Sequence, residues 1–153
     1  SIVGLDLAMA TTTTSAQGVF TGKVLASKPV TVTLYNPDSS VAGSVVANVD
    51  GTFSLSLSAG TYTAIASASG FLKAQGSFVL TNGNTTTSQT ISLHAGDIDG
   101  NDVIDQFDAL TIGINYNAAT PAAADLNNDG IINVLDLEIL AGNYRQSGAL
   151  AWQ

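Results

Sequence analysis

The sequence predicts a mainly β chain with a small α part, an antiparallel β-sandwich followed by a helical module that carries two metal loops. Three observations carry this reading. Residues 18–93 alternate apolar and hydroxyl side chains in short runs separated by turn residues. The runs DIDGNDVIDQFD (97–108) and DLNNDGIINVLD (125–136) repeat one spacing of acids and amides 28 residues apart. Charge is segregated: of 12 acids in 153 residues, all but Asp6, Asp38 and Asp50 lie between Asp97 and Glu138.

Each part has its own local logic. In VTVTLY (30–35), Val30, Val32 and Leu34 alternate with Thr31, Thr33 and Tyr35, and TFSLSLS (52–58) alternates in the same way. A period of two places one set in a core and the other in water. VFTGKVLA, GSVVANV, TYTAIASA, GSFVLT and SQTISL complete about seven strands, a number that suits a sandwich. Asp50-Gly51 reads as a hairpin turn, because both residues tolerate positive φ, and Ala59-Gly60 as another turn. The chain therefore divides into an extended arm (1–17), a sandwich (18–95), a loop–helix module (96–146) and a tail (147–153). In the arm, Val3, Leu5, Leu7 and Met9 alternate like a strand, with a Thr-rich tether behind them. In the tail, Trp152 and Leu150 are expected to clamp onto a groove, in this chain or a neighbour.

Composition excludes several function classes. A net charge of -8 argues against nucleic acid and anionic membrane surfaces as partners. There is no Cys and one His, which removes thiolate and His-cluster metal sites. No apolar run is long enough for a membrane span. The Ser/Thr/Asn-rich, Lys-poor composition reads as extracellular, with Ser1 as a mature start.

The two acidic runs suit a hard cation. Calcium takes six to eight oxygens, and side chains at positions 1, 3, 5, 9 and 12 of such a loop, with the carbonyl at 7, converge on one point. In the first loop these are Asp97, Asp99, Asn101, Val103, Asp105 and Asp108; in the second, Asp125, Asn127, Asp129, Ile131, Asn133 and Asp136. Gly130 stands at the sharp turn of position 6, where the first loop has Asp102, so the second loop is expected to be the more regular. Ile104 and Ile132, at position 8, are expected to pair one loop's backbone with the other's. DALTIGINY (108–116) and DLEILAGNY (136–144) follow as equivalent helices, an internal duplication. Two calcium ions are the expected cofactors. Without them the clustered carboxylates repel each other, and the loops fold only with the metal.

Two resemblances follow from these residues. NVDGTFSLSLSAGTYTAIASASGF (48–71) with FVLTNGNTTTSQTISL (78–93) resembles carboxypeptidase regulatory-like domains, which are small immunoglobulin-like sandwiches used as spacers or in adhesion. The paired EF-hand-like loops, each followed by one helix and ending in Asp, resemble a dockerin over residues 96–144. A sandwich followed by a dockerin is also similar to the X-module–dockerin pairs of type II cellulosomal proteins. The dockerin resemblance implies a cohesin-like partner read by positions 10 and 11 of each loop, here Gln106, Phe107, Val134 and Leu135 in place of the Ser/Thr pairs of many type I dockerins. Phe107 and Leu135 equally suit a core joining the two helices.

Catalysis is not expected. His94 has no nucleophile–base arrangement around it, and the paired carboxylates are committed to metal. Two non-catalytic readings remain. One is an extracellular subunit that polymerises with other copies of itself, Val3, Leu5, Leu7 and Met9 being donated to a neighbour's sheet edge. The other is a docking module for a cohesin-type partner. The charge-poor surface and the spare strand place the homopolymer first, although the arm equally suits the first strand of its own domain.

Overall fold

The computed structural model describes residues 17–153. Val3, Leu5, Leu7 and Met9 of the proposed arm lie outside the described residues. Two sheets face each other. One has the order β4 (Thr52–Leu57), β1 (Gly18–Leu25), β7 (Thr85–Thr87), with β8 (Ile91–Ser92) also on β1. The other runs β3 (Val41–Val46), β2 (Thr31–Tyr35), β5 (Gly60–Ser67), β6 (Ala74–Leu80), β9 (Leu150–Ala151). The alternation decides which faces meet: Phe20, Val24, Val32, Leu34, Phe53, Ala64, Ala66, Phe78 and Leu80 are buried between the sheets.

The pairing departs from a wholly antiparallel sandwich. β1 pairs β7 and β8 in parallel, and β6 pairs β9 in parallel, while the other pairings are antiparallel. Asp50-Gly51 is a turn but does not close a hairpin, because β3 and β4 belong to different sheets. Gly51 does take a φ of 89°, and its N–H donates to Asn48 O at 2.8 Å. A side chain there would collide with the Val24 carbonyl, so glycine is required for the crossing as well as the turn. Ala59-Gly60 likewise joins β4 to β5 across the sandwich.

The helical module follows, with α1 (Gln106–Ile114) and α2 (Val134–Gly142) joined through a short 3₁₀ turn at Ala122–Ala124. Its two halves exchange backbone bonds, but not loop to loop as expected. Ile104 pairs with the residues after α2, through Arg145 N to Ile104 O (2.8 Å) and Ile104 N to Gln146 O (2.9 Å). Ile132 pairs in the same manner with Asn117 and Ala118 after α1, at 2.7 and 2.8 Å. Asn117 and Arg145, equivalent under the duplication, both take positive φ to make that turn. Each half therefore completes the other. Ile104, Ile112, Leu126, Ile132 and Leu140 form the buried centre.

The change in sequence pattern implies separate cores for the two halves; the structure instead shows one continuous buried cluster. The tail makes the join. After α2 it returns to the sandwich, adds β9 beside β6, and places Trp152 among Phe20, Phe53 and Phe78, with ring centroids 5.4–5.9 Å away. Trp152 is 3% exposed. Its indole N–H donates to Gln89 O at 3.1 Å, and Gln89 N donates to Gln153 O at 2.5 Å. The SQTISL run consequently keeps strand geometry only at Ile91–Ser92, because Gln89 bonds to the tail.

Truncating the plug tests this join. Trp152→Ala is expected to lower unfolding free energy by about 3–5 kcal/mol, a large-to-small loss in a closed core. Val79→Ala, on an exposed position of β6, is expected to change it by no more than about 0.5 kcal/mol. Denaturant titration of both variants makes the comparison.

Candidate metal centre

Each loop is built by its own side chains bonding to its own backbone. In the first, Asp97 accepts from Asn101 N (3.1 Å) and Asp102 N (3.0 Å), which curls the chain around position 1. Asn101 Oδ1 accepts from Val103 N at 3.1 Å. Asp105 caps α1 by accepting from Phe107 N at 3.0 Å, while Asp108 accepts from Asp105 N at 2.9 Å, a reciprocal capping box. Asp108 also accepts from Ile98 N (2.8 Å) and Asp99 N (3.1 Å), so one carboxylate ties the start of the loop to the start of its helix.

The second loop repeats the scheme except at position 3, where Asp99 accepts from Asn101 N and Asn127 instead donates to Asp129. Asp125 accepts from Asp129 N (3.2 Å) and Gly130 N (2.8 Å), and Asp129 from Ile131 N (3.1 Å). Asn133 caps α2 from Leu135 N at 3.0 Å. Asp136 takes Leu126 N (2.7 Å), Asn127 N (3.3 Å) and Asn133 N (2.8 Å). Position 6 is left-handed in both loops, with φ 67° at Asp102 and 91° at Gly130. Asp102 is one of the residue types that tolerates this region, and it lies 3.6 Å from Lys73.

The arrangement fits a hard cation on three grounds. Asp97, Asp99 and Asp108 bring carboxylate oxygens within 4.8 Å of one another. Asp97, Asp108, Asp125 and Asp136 are buried, where an uncompensated carboxylate is costly. Asn127 Oδ1, at position 3 of the second loop, is buried and accepts no hydrogen bond among the described residues, while its amide donates to Asp129 at 3.1 Å. Each carboxylate oxygen of Asp97 and Asp125 accepts one backbone N–H and retains a further lone pair for a ligand bond. The carboxylate trio belongs to the first loop because its position 3 is Asp99, where the second loop has Asn127. Gln106, Phe107, Val134 and Leu135 stand exposed at the helix starts just beyond the loops, so Phe107 and Leu135 do not form a core between the helices. Sequence reading missed the contacts that seat the module on the sandwich: Ser27 Oγ to Leu126 O (2.5 Å), Asn143 Nδ2 to Ala95 O (2.9 Å), His94 with Gln146, and Lys28 with Ala122 O.

Burial holds the Asp97 carboxyl up at about 6, and Asp108 and Asp99 push the same way, while the Asp102 N–H opposes them. Burial also raises Asp108. For Asp97 the folded value exceeds the ordinary one of 3.8, so the metal-free fold binds more protons than the unfolded chain between them. That contribution is fully present below about pH 4 and is lost as pH rises through about 6. In chelator, stability is therefore expected to increase on acidification from pH 7 to about 5. Asp97→Asn should flatten this trend, as read by denaturant titration at each pH.

Residues 21–94 match the carboxypeptidase regulatory-like domain and residues 95–143 the dockerin type I domain. Comparison with curated proteins gives no match. Among solved structures, a chain of a type II cohesin–X-dockerin complex from Acetivibrio cellulolyticus, a C-terminal interface mutant, superposes with a TM-score of 0.63 at 22% identity, covering 85% of this chain and 97% of that one. An N-terminal interface mutant of the same complex gives 0.63 at 21% identity with the same coverage. These likenesses extend over both halves and their arrangement. The chain thus joins a stretch that matches the carboxypeptidase regulatory-like domain to one that matches the dockerin type I domain.

Proposed function

We propose that this chain is a non-catalytic, calcium-ordered docking module that attaches an extracellular protein to a cohesin-type partner. The observation that carries it is an apolar stripe on α1. Phe107, Leu110 and Ile114 are 58%, 56% and 72% exposed. At i, i+3 and i+7 they share one helix face, away from buried Asp108 and Ile112. Large side chains held outward on a rigid helix are what a partner's surface buries. The equivalent positions of α2 are Leu135, Glu138 and Gly142, so the duplicated faces differ and α1 supplies most of the apolar contact. Two calcium ions, one per loop, fix the start of each helix and thereby the aim of both faces. Asp97, Asp99, Asn101, Asp105 and Asp108 would hold one, with the Val103 carbonyl; Asp125, Asn127, Asp129, Asn133 and Asp136 the other, with the Ile131 carbonyl. The homopolymer reading takes second place, because the dockerin match and the cohesin-complex likeness both support docking.

Calorimetric titration of calcium into metal-free protein is expected to give two ions per chain. Binding to a type II cohesin domain should require calcium and fall at least about 30-fold on Phe107→Asp, the loss of a central apolar anchor. Glu138→Gln should alter it only a few-fold. Equal binding in chelator, or an unaffected Phe107→Asp variant, would remove the docking reading.

A further inference from the structure

We propose that Lys28, together with Ser27, is a positioning residue for the second calcium loop, supplied by the sandwich. This rests on the calcium reading above. Lys28 lies between β1 and β2 and is only 9% exposed, unusual for a lysine. Its ammonium donates to Ala122 O, the same carbonyl that accepts Asp125 N at 3.1 Å. Ser27 Oγ donates to Leu126 O, and Leu126 N donates to Asp136 at 2.7 Å. The two sandwich side chains thus hold the carbonyls three residues before and one residue after Asp125, the first ligand. The Leu126 carbonyl shares its peptide group with Asn127 N, which donates to Asp136, the last ligand, at 3.3 Å. Gly70 closes the third side: a Cβ there would stand 2.3 Å from Ala123 O.

Among the described residues the first loop has no such clamp on its backbone; the sandwich reaches it through Lys73, which lies 3.6 Å from the Asp102 carboxylate. The positions equivalent to Ala122 and Leu126 are His94 and Ile98. His94 O accepts a backbone bond from Leu72 N at 2.8 Å, with no side-chain donor on it among the described residues. The pair of loops is therefore alike in ligands and unlike in support. Burial lowers the Lys28 amine's affinity for its proton, while Asp125 and Asp136 raise it, so both loop carboxylates are felt at that nitrogen. A ligand set held before the ion arrives loses less chain entropy on binding, which is how support translates into affinity.

The test titrates calcium into the 153-residue chain and follows the amide resonances of Asp102 and Gly130, the position 6 residues of the two loops. Lys28→Met keeps the apolar stem and removes the donor. It should raise the Gly130 midpoint about tenfold, the scale of one lost charged hydrogen bond, and leave the Asp102 midpoint unchanged. Lys28→Arg, which keeps a cationic donor, should return the Gly130 midpoint to within about threefold of wild type. Ser27→Ala should move Gly130 in the same direction by less, since its hydroxyl is neutral. A Gly130 midpoint that stays or falls in Lys28→Met overturns the proposal, as does a parallel shift of both midpoints, which would mark general destabilisation. If neither amide responds in wild type, the calcium reading itself fails, a result distinct from all the others.

Discussion

Like charges gathered at one point are the constraint on which the helical module rests. Asp97, Asp99 and Asp108 place oxygens within 4.8 Å of each other, and two of the three are buried. Backbone N–H groups offset part of that repulsion, and protonation or a bound cation must offset the rest. Asp108, and Asp136 in the second loop, also close the capping boxes and tie each loop to the first turn of its helix. Charge neutralisation, helix start and direction of the exposed face are consequently one event, repeated twice by duplication.

The sandwich does more than space this module. Backbone exchange between the halves closes the module on itself, and the tail then closes the module on the sandwich. Trp152 completes an aromatic cluster that would otherwise lack a side, with Phe20 and Phe78 already 4.6 Å apart. The plug sits beyond α2, so the second half is held at both ends, by Lys28 and Ser27 at the loop and by β9 and Trp152 at the tail. The α1 half is held at the chain's own linker, where Gly96 N donates to Gly70 O at 2.8 Å, and by the exchange through Ile104. An exposed stripe on the less anchored helix and the greater crowding of acids in its loop fall in the same half.

How much was legible follows from the range of each signal. Alternation within a strand is local, so the interior set from Val32 to Leu80 could be read directly. Sheet membership is not local. Asp50-Gly51 carries the same turn chemistry whether the next strand pairs with the last one or crosses to the opposite sheet. Short parallel strands such as Thr85–Thr87 and Leu150–Ala151 carry no apolar alternation to announce them and are stabilised by neighbours far along the chain. The loop ligands were legible because a twelve-residue spacing is itself the geometry. Lys28 was not, because its partner carbonyl is 94 residues away and a lone lysine in a loop looks like surface.

The central claim is that cation binding in the two loops orders the helices that carry the exposed face. Amide hydrogen exchange of the full chain, measured in calcium and in chelator, tests it most directly. Calcium should protect the α1 amides from Leu110 to Ile114 strongly, with β2 and β5 protected in both conditions. Equal protection of α1 with and without calcium would contradict the account.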